Sequence, residues 1–251
     1  MKLQNKVAVV TGGARDIGKA ISKKLAAEGA KVVINYFSSE QGAQETVAEI
    51  KAAGGEAVAL KGDLTKAADV QKLAEFTKSS YGDTMDILVN NVGGLVARKT
   101  LEEQDEAFFD TMINLNAKST WMAIKAFVGN MKENGGAVIN ISSQAARDGG
   151  GGGASLYGAA KGFVTTYSRG LSKELGPKGI RVNSICPGMI DTTFHDVFTP
   201  DAVREKVKSV TPMRREGTGE DVANLVAFLA SDDAAYITGA NYDINGGLAF
   251  S

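Results

Sequence analysis

Cysteine and histidine are nearly missing from this chain. Its 251 residues include one cysteine, Cys186, and one histidine, His195. A single thiol cannot close an intrachain disulfide, so a reducing compartment is expected. The same scarcity argues against a zinc centre and against a Ser-His-Asp triad, and no metal site is predicted. Charge of one sign is not in excess either. The chain carries 28 Lys and Arg against 29 Asp and Glu, a net charge of -1. No basic excess points to nucleic acid or to an anionic membrane. No apolar run approaches the ~18 residues of a membrane span, and the opening MKLQNKVAVV is too short and too polar for a secretory signal. The expectation is a cytoplasmic protein whose partner is a small molecule.

What is present is an alternation. Short β-branched runs lie at 6–11, 31–36, 56–62, 86–91, 137–142, 180–185 and 241–245. Amphipathic stretches such as AISKKLAAEG, AQETVAEIKAAGG and DVQKLAEFTKSSYG separate them, several ending in glycine, the usual helix stop. Fully apolar strands alternating with helices predict a parallel sheet covered on both faces. No linker or composition shift divides the chain. The fold expected is a single doubly wound, Rossmann-type α/β domain over 1–251 with about seven parallel strands. Its one low-complexity segment, DGGGGG at 148–153, reads as part of a loop.

TGGARDIG, Thr11 to Gly18, lies between the first strand and the first helix. In a doubly wound sheet that turn faces a dinucleotide pyrophosphate. Glycines let the backbone approach, and the free N–H groups of the helix start attract phosphate. Gly12 and Gly18 fit those roles, with Arg15, Asp16 and Ile17 between them. GDLT places Asp63 and Leu64 at the end of the third strand, where an Asp can meet an adenine amino group. NNVG places Asn90 and Gly93 at the end of the fourth, beside the adenosine ribose.

With these three stretches the sequence resembles the short-chain dehydrogenase/reductase family, in its branch similar to 3-oxoacyl-carrier-protein reductases, over almost its whole length. The family loop reads TGxxxGxG, so Asp16 replaces its middle glycine, and NNVG stands for the common NNAG. An Asp just before a helix can cap it. The expectation is that Asp16 does so, turning its carboxylate away from the pyrophosphate. Cofactor choice is read at the end of the second strand. NAD-specific sites place a carboxylate there for the ribose 2′-OH, but NYFSS has none before Glu40. A 2′-phosphate would instead take Arg15, Asn35, Ser38 and Ser39 as cation and donors. NADP(H) is favoured and NAD(H) remains open.

YGAAK sets Tyr157 and Lys161 four apart, on one face of a helix. A phenol has a pKa of about 10, and a nearby ammonium favours its ionised form and so tunes it for proton transfer. ISSQ ends the preceding strand at the same edge of the sheet, where a serine hydroxyl can bond a substrate carbonyl oxygen. The resemblance assigns that role to Ser143, with Ser142 as the alternative. It also assigns Asn116 to a water relay behind Lys161. It makes Pro187, Gly188, Ile190 and Thr192 of CPGMIDT part of the nicotinamide site. The segment at about 190–212 is expected to be a substrate flap. His195 lies in it and is read as neutral. The resemblance thus implies an NAD(P)H-dependent reductase of a ketone or aldehyde with a Ser-Tyr-Lys-Asn tetrad.

The substrate is read from the serine-to-tyrosine loop, QAARDGGGGGASLY. Gln144 and Arg147 there, and Arg98 in the loop after NNVGG, are candidate substrate contacts. A guanidinium clamps a carboxylate in bidentate fashion. A small, polar, acidic carbonyl such as a uronate-derived keto acid is therefore expected. Two other readings stay open: a 3-oxoacyl-carrier-protein reductase, and a dinucleotide-binding sensor without turnover. Lys132 beside Glu133, and Lys173 beside Glu174, weaken a basic docking face for an acidic carrier. Relatives are usually tetramers built through the helices carrying Asn116 and Tyr157 and through the final strand. A homotetramer is expected, with AIKAF (123–127) and GGLAF (246–250) as apolar segments suited to it.

Overall fold

All seven apolar runs become strands of one parallel sheet. The computed structural model describes residues 1–131 and 135–250. The strands are β1 (Val7–Val10), β2 (Lys31–Tyr36), β3 (Glu56–Lys61), β4 (Ile87–Asn90), β5 (Ala137–Ile141), β6 (Arg181–Pro187) and β7 (Asn241–Ile244). Their order across the sheet is β3-β2-β1-β4-β5-β6-β7. β1 pairs in parallel with both β2 and β4, so the chain winds outward in two directions from it. The crevice at this switch point, outside the carboxyl ends of β1 and β4, is where such sheets place ligands.

The strands are apolar on both faces because both faces are covered. On one side Ala8, Val10, Val32 and Ile34 pack with α1 (Asp16–Ala27), α2 (Glu40–Ala52) and α10 (Gly219–Ala230). On the other, Val7, Val9, Val33 and Leu88 pack with α3 (Ala67–Tyr81), α5 (Ser119–Phe127) and α7 (Ser155–Leu175). Strand periodicity of two divides each run between the two layers. Helix starts are chemically marked. Asp105 accepts from Phe108 N at 2.7 Å to open α4 (Glu106–Ile113), and Thr218 with Asp221 forms a capping box on α10.

Three further features position the site. The helix formed by α4 and α5 widens into a π-helical turn at Asn114–Lys118. Such turns recur at functional sites, and Asn116 sits in this one. A short helix, α6 (Ala145–Asp148), follows β5 and leads through the glycine run to α7. The expected flap is two helices, α8 (Thr193–Phe198) and α9 (Asp201–Val210). Arg204 of α9 holds them together, with nitrogens at 2.7 Å from Asp191, 2.7 Å from Asp196 and 2.6 Å from Glu216. Ala123, Ile124 and Phe127 of AIKAF are core residues. The aromatic side chains that α4, α5 and α7 leave exposed are Phe109, Trp121 and Phe163. No helix among the described residues is long and apolar enough to cross a membrane.

Candidate active site

The glycine loop is shaped by contacts that leave no space for side chains. Gly12 has φ +61°, in the left-handed region. A Cβ added at Gly18 would lie 2.0 Å from the Gly12 carbonyl oxygen. The loop is braced from β4: Asn91 Nδ2 donates to Gly12 O at 3.0 Å, and Thr11 Oγ1 accepts from the backbone N–H groups of Asn91 and Val92. Ile17 packs on the core below it. This places the N-terminus of α1 beside the crevice. Asp63 Oδ1 accepts from Thr65 N and Oγ1 at the end of β3, and the adjacent Leu64 is buried.

The side chains of Asn35 and Asn90, expected at the cofactor, bond within the protein, and Asp16 departs from its expected cap. Asn35 is 1% exposed; its amide donates to Gly62 O at 3.0 Å, and its Oδ1 faces Gly12 N at 3.4 Å. It therefore ties the glycine loop to the end of β3. Ser38 remains exposed and Ser39 half-buried at the end of β2. Asn90 is buried and donates to Asn140 Oδ1, which is part of a chain that continues to Ser168. It braces β4 against β5 and α7. Asp16 does not cap α1. Its carboxylate accepts from Thr193 N at 3.1 Å and Thr193 Oγ1 at 2.6 Å, on the first residue of α8. Arg15 is largely exposed and also donates to Thr193 Oγ1, at 3.1 Å.

The four catalytic candidates come together at the carboxyl ends of β4 and β5. Lys161 is 3% exposed and donates from Nζ to Ile141 O at 2.9 Å. Burial pulls its pKa down to about 8. Its Nζ lies 5.9 Å from the centre of the Tyr157 ring. Gly93 leaves room for both groups, because a Cβ would stand 2.6 Å from Lys161 Nζ and 2.8 Å from Asn116 Oδ1. Asn116 is fully buried, accepts from Gly94 N at 2.9 Å, and donates to Gly94 O and Met112 O. Burial pushes the Tyr157 phenol above its usual value, and a hydrogen bond with Ser143 opposes that shift. The expected downward pull of Lys161 is therefore not what governs the phenol in this structure. It is held protonated, the form that can donate. The two serines differ in their partners. Ser142 is buried and donates to Lys161 O at 2.9 Å, whereas the half-buried Ser143 accepts from Ala145 N at 3.1 Å and stands close enough to Tyr157 to lower its pKa.

The side expected to hold the nicotinamide is formed by the end of β6 and the loop after it. A Cβ at Gly188 would meet Asn245 Cβ at 2.6 Å, so a glycine lets Pro187 and Gly188 pass the turn after β7. Ile190 is buried and bridges to Gly217, while Thr192 Oγ1 donates to Ile190 O at 3.1 Å.

The substrate side differs most from expectation. Arg147 does not face the crevice. Its Nε donates to Asp243 Oδ1 at 3.0 Å and its Nη2 to Asn241 O at 3.1 Å, tying α6 to β7. Gln144 donates to Asp148, leaving its buried Oε1 unpartnered. Arg98 is exposed and bridges Gly152 O and Phe198 O. Around Tyr157 lies an apolar wall that the motifs did not disclose. It packs Ala97, Leu156, Phe194 and Phe198 on a buried group that includes Leu95 and Phe108. Phe194 lies 6.2 Å from the Tyr157 ring and 5.2 Å from Phe198. The i, i+4 aromatic pair in FHDVF is the sequence signal for this wall. His195 is turned aside, its Nδ1 2.9 Å from Thr199 Oγ1, and burial lowers its pKa. Lys132 and Glu133 lie outside the described residues. Among the described residues no group of three metal-ligating side chains occurs.

A family model described as enoyl-(acyl carrier protein) reductase matches residues 12–249. A 3-oxoacyl-[acyl-carrier-protein] reductase of Staphylococcus aureus is 37% identical over 244 residues, covering 97% of this chain and 98% of that one. A short-chain dehydrogenase/reductase from Serratia marcescens superposes with a TM-score of 0.93 at 35% identity, covering 100% of both chains. A short-chain dehydrogenase from Burkholderia cenocepacia, solved in complex with NADP, does so with a TM-score of 0.91 at 35% identity over 99% of both.

Proposed function

The chain belongs to the short-chain dehydrogenase/reductase family, NAD(P)-dependent oxidoreductases acting on alcohol and carbonyl groups, and from that premise we propose that it reduces a ketone or aldehyde with NADPH. The residues present fit the dinucleotide. The positions where a Cβ would intrude, Gly18 and Gly93, line its path. Gly12 and Gly18 would take the pyrophosphate, Asp63 and Leu64 the adenine, and Ile190 and Thr192 the nicotinamide amide. The NADP held by the Burkholderia relative supports the phosphorylated cofactor. So does the absence of a carboxylate between Tyr36 and Ser39, with Arg15 and Ser38 open to solvent nearby. NAD(H) is the second choice.

When bound, the reduced nicotinamide supplies hydride to a carbonyl carbon. Ser143 and Tyr157 hold the carbonyl oxygen, and protonated Tyr157 delivers the proton as charge develops there. Lys161 holds the nicotinamide ribose and the charge of the site, and Asn116 keeps the π-helical turn open behind it for proton replacement. The whole chain forms one catalytic domain, with α8 and α9 as its substrate lid.

The observation that carries the substrate reading is the apolar wall beside Tyr157. With Arg147 committed to Asp243, an acidic keto-uronate would meet Arg98 alone. A carbonyl flanked by an apolar or aromatic group fits better, a 3-oxoacyl thioester among them. The test is a panel of an aryl ketone, an acetoacetyl thioester and a keto-uronate, each with NADPH and NADH. The apolar ketones should show the higher kcat/KM with NADPH. Tyr157→Phe should lower the rate by about two to four orders of magnitude while NADPH still binds. A keto-uronate preferred tenfold, and losing that preference in Arg98→Ala, would overturn the substrate reading. Near wild-type turnover in Tyr157→Phe would overturn the mechanism.

A further inference from the structure

Asp16 occupies a backbone conformation that few side chains accept. Its φ is +49°, in the left-handed region, where Asp and Asn are among the tolerated exceptions to glycine. Its carboxylate reaches 177 residues along the chain to Thr193, taking both the backbone N–H and the hydroxyl. Thr193 Oγ1 also accepts from Arg15, so its donor and its acceptor are both used. Thr193 opens α8, and the next residue, Phe194, stands against Tyr157. A continuous connection therefore runs from the dinucleotide loop through Thr193 to the wall of the substrate pocket.

The position has a second consequence. Asp16 is the first residue of α1, at the helix end whose free N–H groups favour anions. A carboxylate there opposes any phosphate that approaches.

Resting on the reading that the dinucleotide lies in this loop, we infer that Asp16 is a positioning residue that fixes the lid helix α8 over Tyr157 at the expense of dinucleotide affinity. A glycine at this position would bind the cofactor more tightly and leave α8 unheld. An asparagine would keep the φ and the acceptor for Thr193 N while removing the charge.

Asp16→Asn, Asp16→Gly and Thr193→Val separate these effects. NADPH affinity is read by fluorescence titration without substrate, and lid order by amide hydrogen exchange of residues 193–198 without ligand. KM and kcat follow for the best ketone of the panel. Removing one charge near a diphosphate at partly solvated distance should tighten NADPH binding about three- to tenfold in both Asp16 variants, and not in Thr193→Val. Exchange in α8 should rise about tenfold in Asp16→Gly, less in Thr193→Val, and least in Asp16→Asn. KM should follow the exchange rates while kcat moves less. Unchanged NADPH affinity in the two Asp16 variants, or α8 exchange in Asp16→Gly equal to wild type, overturns the inference. Failure of the reductase reading would appear differently, as no turnover of any carbonyl with the exchange differences intact.

Discussion

Arg147→Ala is expected to damage the fold rather than the recognition of an acid. The guanidinium and Asp243 are 3.0 Å apart with side chains 16% and 15% exposed. Truncation leaves the Asp243 carboxylate largely desolvated without its cation, and removes the donor to Asn241 O. A hydrogen bond to a charged group contributes about 1.5–3 kcal/mol, and breaking a fully buried pair costs about 3–5 kcal/mol. The residual exposure puts this pair at about 2–3 kcal/mol. At ~2–4 °C per kcal/mol for a domain of this size, Tm should fall by about 4–12 °C. Thermal unfolding at fixed protein concentration reads this directly. Arg147→Ala/Asp243→Ala should regain part of the loss, because no carboxylate is then left unpaired. The KM ratio between a keto-uronate and a neutral ketone should not move. A Tm within about 1 °C of wild type, together with a tenfold selective loss for the keto-uronate, would refute the assignment and return Arg147 to the substrate.

Lys161→Met should abolish turnover yet stabilise the protein by about 1–2 kcal/mol, since it replaces a buried ammonium with a side chain of similar length. The lysine pKa falls from 10.5 to about 8 on folding, so between those values the unfolded chain binds a proton that the native chain does not. Its contribution to stability therefore rises with pH through that window. Urea unfolding at pH 7.5 and 9.5 should show this rise in wild type and not in the variant. Arg15→Ala should weaken NADPH about tenfold more than NADH, measured by parallel titration; equal losses would mean that Arg15 does not read the 2′-phosphate. Trp121→Glu/Phe163→Glu tests self-association, because both side chains are about two-fifths exposed on the helices expected to form a tetramer. Light scattering should show wild type as an oligomer and the variant dissociated. A monomeric wild type at micromolar concentration would remove the expectation.

The sheet was legible because each strand is a local run, Val7–Val10 and Ile87–Asn90 being apolar throughout. Tyr157 and Lys161 were legible for the same reason, as four-residue neighbours on one helix. What escaped is long-range. Arg147 and Asp243 are 96 residues apart, and Asp16 and Thr193 are 177 apart. No periodicity marks such pairs, so an arginine beside a catalytic loop reads as a ligand clamp and an aspartate before a helix reads as its cap. The side-chain partners of Asn35 and Asn90 are hidden for a related reason. Strand periodicity tells which residues alternate, but not which buried amide finds another inside the sheet. The π-helical turn at Asn116 likewise leaves no signature in its residues.

The central place of β1 has a consequence for how the chain is made. As it leaves the ribosome, β1, β2 and β3 can pair in sequence once Lys61 has emerged. The other edge of β1, with Ala8, Val9 and Val10 all destined for complete burial, must wait for β4 at Ile87. At ~5–20 residues per second that interval lasts roughly one to five seconds. During it the nascent chain carries an open, apolar strand edge, the kind of surface that pairs with other chains. A translational pause just before Ile87 should therefore be harmful, whereas one after Asn90 should be tolerated, because by then β1 has both neighbours.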